Sequence, residues 1–249
     1  MKPIYAVLGI AVVSAAYAGT FPSPQAASWH EDADSITEVD SVAEVSIESV
    51  SDFFLFADEF NTIEQSVRMD MLDYYASGMR KHMPTRLGGQ AVIDSIAGDH
   101  YMKVSTSSVS ETEVQMYVNN HGDKLFGVIN RVKMPATDSH ISFSQTYALG
   151  SPSVSLIEEP KVRDFLTAKD KKTLSEIESK IDFPLIDYRF LPNGDVEARL
   201  TVGEFLSRED SAAVMPFVNS GITYHWDGKR FKIRNSMALR KRHILLIVA

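Results

Sequence analysis

From residue 101 onward the apolar residues of this chain recur two apart, and that period is the strongest constraint on what it can fold into. The runs 101–105, 113–118, 124–133 and 140–147 alternate apolar with polar side chains, which assigns one set to each face of a β-strand. A Ser-rich stretch, Asn119-Asn120-His121-Gly122 and Pro135-Ala136-Thr137-Asp138 separate them with turn chemistry. Connections this short join antiparallel neighbours, so the four runs predict a meander. In the last run Ile141 and Phe143 alternate with Ser142 and Ser144, as in a sheet with one wet face.

Ahead of the meander the spacing is three and four. Met69, Leu72, Ala76, Met79 and Met83 form a stripe within 67–83, with Arg68, Asp70, Asp73, Ser77, Arg80 and Lys81 on the other side. That pattern predicts an amphipathic helix whose methionines fill gaps in a core. Pro84 and Gly88-Gly89 stop it, and 91–97 is expected to form a second short helical turn before Gly98.

Beyond the meander a weak repeat organises the chain. Asp164-Phe165-Leu166-Thr167-Ala168-Lys169-Asp170 is echoed by Glu204-Phe205-Leu206-Ser207-Arg208-Glu209-Asp210. Thr167 or Ser207 can cap a helix N-terminus, with Asp170 or Asp210 three residues on near the positive end of the dipole. Leu174, Ile177 and Ile181 give the first helix its stripe, and Pro216 keeps the second short. Each helix precedes a hairpin. In the first, Ile186, Tyr188 and Phe190 are expected opposite Val202, Leu200 and Ala198 across a three-residue loop near Asn193-Gly194. In the second, Trp226 faces Phe231 and Tyr224 faces Ile233 across Gly228-Lys229, with Asp227 and Arg230 as an exposed ion pair. Tyr188, Phe190, Tyr224, Trp226 and Phe231 then make a core face.

The fold class expected is α+β: a helix plus a four-strand antiparallel meander, followed by two helix-hairpin units, with helices packed on one face of antiparallel sheet. The domain plan is a leader over 1–18, an acidic linker or arm over 19–50, modules over 51–150 and 151–234, and a basic and apolar tail over 235–249. Whether the modules share one sheet or form two is open at this level.

The leader has Lys2, an apolar run over 4–16 and Ala16-Tyr17-Ala18 before Gly19, the layout of a secretory signal peptide cut between Ala18 and Gly19. An uncleaved anchor is the competing reading, disfavoured by Gly9 and the Pro-bearing polar stretch that follows. The mature chain then carries no membrane span, and its place is the periplasm or the cell exterior. With no cysteine in 249 residues, disulfides, thiolate chemistry and lipidation through cysteine are all excluded. The net charge of −8 lies early in the chain: eleven acids and no Lys or Arg fall between Gly19 and Val67, while 24 basic and 22 acidic residues follow. A body so nearly neutral argues against nucleic acid as a partner. In the tail, Arg240, Lys241 and Arg242 precede six apolar residues, too few to cross a bilayer. A peripheral contact with an anionic surface is conceivable there, but a frayed terminus is the favoured reading.

No reactive constellation emerges. His82, His100, His121, His140 and His225 stand alone, without the spacing of metal ligands. Asp138-Ser139-His140 has the letters of a hydrolase triad, but neighbouring strand residues point to opposite faces. Leu87-Gly88-Gly89-Gln90 lacks the downstream residues of a phosphate loop and reads as a helix stop. Catalytic, cofactor-binding and metal-ligating residues are therefore assigned to none.

Three segments resemble a family of uncharacterised secreted proteins of Bacteroidales, the domain of unknown function DUF3256. They are Arg68-Met69-Asp70-Met71-Leu72-Asp73-Tyr74-Tyr75-Ala76-Ser77-Gly78-Met79, then Leu87-Gly88-Gly89 with Ile93-Asp94-Ser95-Ile96, then Tyr224-His225-Trp226-Asp227-Gly228-Lys229-Arg230-Phe231. The similarity runs from about Phe53 to Ile233 and implies no activity, cofactor or catalytic residue. The expectation is an exported, non-enzymatic protein that binds another protein or an envelope component. The alternatives are a hydrolase-type enzyme assembled from scattered residues such as Asp73, Asp94, Asp99 and His100, and a carrier of a small apolar ligand.

Overall fold

The structure, a computed structural model, describes residues 47–144, 155–168 and 170–234. All of them belong to the compact unit Val45–Ala249. The leader, its cleavage site, most of the acidic arm and the tail lie outside the described residues. The fold is α+β, with four α-helices and two antiparallel sheets among those residues.

Helix α1, Val50–Phe56, starts where Ser49 Oγ accepts the Asp52 amide at 3.1 Å. The Asp52 carboxylate in turn accepts the Glu48 amide at 3.1 Å and the Ser49 hydroxyl at 2.8 Å. Ile47 and Val50, the end of the segment read as an arm, are already buried. Helix α2, Gln65–Ala76, is shorter than expected. Gly78, at φ +78°, turns the chain, so Met79 and Met83 leave the helix. Its buried face is also displaced from the expected stripe. Met69 is exposed, and Arg68 and Met71 point inward with Leu72 and Tyr75 beside them. Arg68 is buried because Nη1 donates to Phe54 O and Ala57 O, at 2.8 and 3.0 Å, satisfying carbonyls that α1 leaves open at its end.

Strands β1 (Met83–Pro84), β2 (Gln90–Ala97), β3 (Tyr101–Ser105), β4 (Ser110–Val118), β5 (Lys124–Val132) and β6 (Asp138–Ser144) pair in sequence order as one six-stranded sheet. The meander is present, and two strands precede it. The segment 91–97 is a strand, which corrects the helical turn expected there. Its β-branched Val92, Ile93 and Ile96 suit a pleated surface, and a shift in pairing between Ile93 and Ser95 lets consecutive residues turn inward. Leu87-Gly88-Gly89 is the β1–β2 hairpin loop, with Gly88 at φ +77°, and not a helix stop.

The repeat segments begin differently. Helix α3, Lys171–Glu178, is capped by Asp170, whose Oδ1 accepts the Thr173 amide at 2.8 Å; Thr167, the expected cap, instead donates to Phe217 O. Helix α4, Arg208–Val214, is capped by Ser207 as expected, and Pro216 closes it into a 3-10 turn. The copies also bury unlike residues: Phe165 is fully buried, whereas Phe205 is 53% exposed.

Strands β7 (Ile186–Phe190), β8 (Val196–Leu200), β9 (Ile222–Trp226) and β10 (Phe231–Ile233) form the second sheet in the order β10-β9-β8-β7. The β9–β10 register is the one expected, Trp226 opposite Phe231 and Tyr224 opposite Ile233. The β7–β8 register is slipped by two: Ile186, Tyr188 and Phe190 face Leu200, Ala198 and Val196. The loop sits one residue earlier than assumed, closed by Leu191 and Asp195 around Gly194 at φ +81°. Val202, expected in the ladder, starts a 3-10 turn. Asp227 pairs with Lys232 at 2.5 Å, and its bonds with Arg230 are to the backbone, the carboxylate accepting the Arg230 amide and the Asp227 amide donating to Arg230 O.

The first sheet is covered on both faces. Met102, Val104, Val114, Phe126 and Val128 pack against Phe53, Phe54 and Phe60 of the helical layer. On the other face Leu125, Ile129, Ile141 and Phe143 join Tyr188, Phe190, Tyr224 and Phe231 of the second sheet, with Ile177 and Val214 from α3 and α4. The aromatic set is thus core. Tyr117 pins the layers, its ring 5.2 Å from Phe231 and its hydroxyl donating to Gly194 O at 2.9 Å.

Candidate functional site

A cleft of about 590 Å³ runs along the outer edge of β6. Residues of both strand faces line it, Ser139 and Ile141 on one and His140 and Ser142 on the other, so it follows the edge itself. Leu156, Ile157 and Glu159, and Pro184, Ile186 and Tyr188, complete its lining. The mixture of hydroxyls, an imidazole, two carboxylates and apolar groups suits a peptide-like surface more than a purely apolar ligand.

Asp138 and Ser139, letters of the triad considered above, stand at one end of this cleft with other work to do. Asp138 Oδ1 accepts the Ile186 amide at 3.1 Å. Ser139 Oγ accepts the Tyr188 amide at 2.7 Å and donates to Ile186 O at 3.0 Å. Arg131 Nη2 donates to Tyr188 O. The amides and carbonyls that Ile186 and Tyr188 turn away from β8 are therefore satisfied by side chains of the first sheet, and the Ser139 hydroxyl is engaged with that backbone as both donor and acceptor.

Arg131 is also the centre of a charge cluster between the sheets. With 5% of its side chain exposed, it donates from Nε to Asp187 Oδ1 at 2.6 Å and from Nη1 to Glu113 Oε1 at 2.5 Å, and it bonds Glu111 as well. Lys103 Nζ lies 2.9 Å from Glu111 Oε1, Lys133 Nζ 2.5 Å from its Oε2, and Arg189 Nε 2.7 Å from Asp187 Oδ2. Burial pushes the Glu111 carboxyl up, but hydrogen bonds from Lys133, Lys103 and Arg131 outweigh it and hold the group at about 2. Burial and the adjoining Glu113 raise the Tyr101 hydroxyl, which donates to Glu113 Oε2 at 3.3 Å. Each acid of the cluster has a cation within reach, and Arg131 of the first sheet is bonded to Asp187 of the second, so the network spans the two layers.

Outside that cluster, the buried carboxylate of Asp195 meets His225 Nδ1 at 2.7 Å, Arg234 Nη1 at 2.7 Å and Asn193 Nδ2 at 2.9 Å. The residues considered for an enzyme are not gathered. Asp94 is half-buried and accepts from Ser105 Oγ at 2.7 Å, Asp99 and His100 are exposed in the β2–β3 turn, and Asp73 is exposed on α2. Among the described residues no group of three or more His, Asp or Glu could hold a metal ion, and no helix is long and apolar enough to cross a membrane. Sequence reasoning passed over Arg131 and Asp187, since a single charged residue in an alternating strand looks like any solvent-facing position, and over Asp195 and Arg234, which lie in the β7–β8 loop and just after β10. The one available signal was Arg131 at the parity of Leu125 and Ile129, the inward set.

Comparison with curated proteins gives no match. The fold is shared with a solved domain of an uncharacterised protein from Porphyromonas gingivalis W83, at 16% identity and a TM-score of 0.63, over 75% of this chain and 98% of that one. The model of the family described as "Protein of unknown function (DUF3256)" matches residues 42–231, and the chain belongs to that family.

Proposed function

We propose that the chain is an exported, non-enzymatic binding protein of the cell envelope or exterior, and that it holds an extended segment of a protein partner in the cleft beside β6. The observation that carries the reading is the cleft's course along a strand at the edge of the six-stranded sheet. An edge strand presents alternate N–H and C=O groups sideways, chemistry that another extended backbone complements. Apolar Ile157 and Pro184 together with the Ser142 hydroxyl offer contacts for alternate side chains. Export rests on the layout of residues 1–18.

The test is affinity capture from the organism's own envelope fraction, with the wild type and Ser142→Arg as parallel baits. A partner retained by the wild type and lost with Ser142→Arg is the expected result. Recovery of nothing but the bait, or equal recovery with both, overturns the binding assignment. Finding Met1 intact on the mature protein overturns export.

A further inference from the structure

We infer, on the footing that the cleft beside β6 takes an extended protein segment, that this segment presents a lysine or arginine side chain, its cationic head held by Asp138, Glu159 and the Tyr188 hydroxyl. Among the described residues that line the cleft, Asp138 and Glu159 are both exposed, and no lysine or arginine stands with them. Acids of the two sheets are matched elsewhere, Glu111 and Glu113 with Arg131, Asp187 with Arg189 and Glu197 with Arg199. Asp138 spends Oδ1 on a neutral donor, the Ile186 amide at 3.1 Å. Neither its other oxygen nor the Glu159 carboxylate meets a cation among the described residues, so both keep acceptor capacity for a partner's cation.

Tyr188 points to a ligand independently of those charges. It lines the cleft and is 4% exposed, and a phenol so buried ordinarily finds a partner. Tyr117 and Tyr224 do, donating to Gly194 O and Glu158 O. The Tyr188 hydroxyl has none among the described residues, and its oxygen still meets solvent in the space the ring lines. Burial and the charges of Glu159 and Asp138 push it up to about 12. It therefore stays protonated, within the field of both carboxylates, with lone pairs open to an N–H donor.

Ile141, Leu156, Ile157 and Pro184 give the same cleft apolar surface. A long basic side chain uses both kinds of lining, its methylenes against the apolar groups and its head on the acceptors. An acidic side chain would be repelled there, and an apolar one would cover two carboxylates and a phenol without pairing them.

The experiment is selection of random dodecapeptides displayed on phage against the chain from Gly19 onward, followed by fluorescence anisotropy of the enriched peptides. Sequences with a lysine or arginine at one position beside apolar residues are expected, binding more weakly as salt rises. An exposed ion pair is worth up to about fivefold in affinity, so Asp138→Asn with Glu159→Gln should weaken these peptides about tenfold. The new amide oxygen at position 138 can still accept the Ile186 amide. Tyr188→Phe should weaken them about fivefold without lowering the unfolding midpoint, since the hydroxyl bonds nothing inside the fold. Asp70→Asn with Asp73→Asn, which removes two exposed carboxylates from α2, should bind as the wild type and so separates the cleft from the overall negative charge. Enriched peptides with no basic position, an undiminished cleft variant of either kind, or an equal loss in the α2 variant each overturns the inference, and the cleft reading stands if Ser142→Arg still abolishes binding. No enrichment, or enriched peptides indifferent to Ser142→Arg, overturns both.

Discussion

Replacing Arg131 by Met tests whether the charge cluster holds the two sheets together. Breaking one side of a buried ion network costs about 3–5 kcal/mol, because the remaining charges stay buried. The lower end applies here. Glu111 keeps Lys103 at 2.9 Å and Lys133 at 2.5 Å, and Asp187 keeps Arg189 at 2.7 Å. Glu113 fares worst, left with Lys103 at 3.9 Å and the Tyr101 hydroxyl at 3.3 Å. The expected loss is thus about 3 kcal/mol, read from urea unfolding at neutral pH. The acid limb gives an independent check. A carboxyl held at about 2 against an ordinary 4.5 contributes about 3 kcal/mol above pH 4.5, which is lost as pH falls toward 2. Arg131→Met removes one of its three donors, so stability should fall less steeply across that window than in the wild type. A loss under about 1 kcal/mol with an unchanged acid limb would refute the reasoning, showing that water screens the cluster and apolar packing alone holds the layers. Exchanging Arg131, Glu111, Glu113 and Asp187 together for apolar residues of similar volume should by contrast be close to neutral.

Three further outcomes follow from the packing. Ser139→Ala removes one acceptor and one donor from the edge of β7 and should cost about 1–3 kcal/mol, with faster hydrogen exchange at the Tyr188 amide as its local signature. Gly127→Ala places a methyl 3.0 Å from Phe143, 3.1 Å from Phe190 and 3.2 Å from Tyr117, so overpacking should destabilise the fold by about 1–3 kcal/mol in thermal unfolding; an unchanged midpoint would mean that the rings move aside freely. Phe53→Ala, fully buried and stacked on Phe126 at 4.7 Å, should cost about 3–5 kcal/mol by denaturant titration.

Strand positions in this chain were readable wherever one side of the pleat stayed apolar over several residues, as in β3, β5 and β6. The reading failed where a local pattern had two solutions. Ala91-Val92-Ile93-Asp94-Ser95-Ile96-Ala97 satisfies a helical turn as well as a strand with a bulge, and only pairing with β3 decides between them. Arg68 looked solvent-facing because its reward, two carbonyls at the end of α1, lies in another element. The slip in the β7–β8 hairpin preserved parity, so the inward residues were right although their partners were not. Thr167 and Asp170 are both competent caps, and the tertiary bond from Thr167 to Phe217 O settles which one serves. For the site, Asp138 and Ser139 stood out for a chemistry they do not perform, while Arg131, on which the two layers converge, carried no motif at all.

The side chains that close the edge of β7 do so without forming a ladder, and this shapes how the molecule can go wrong. A backbone partner could be exchanged for the strand of another molecule at little cost, since any extended chain offers the same groups. Arg131, Asp138 and Ser139 cannot be so exchanged, because they are fixed at one spacing by the neighbouring sheet. Self-association through β7 therefore requires the layers to part first, and light scattering from Arg131→Met should rise well below the denaturant concentration at which the wild type begins to aggregate.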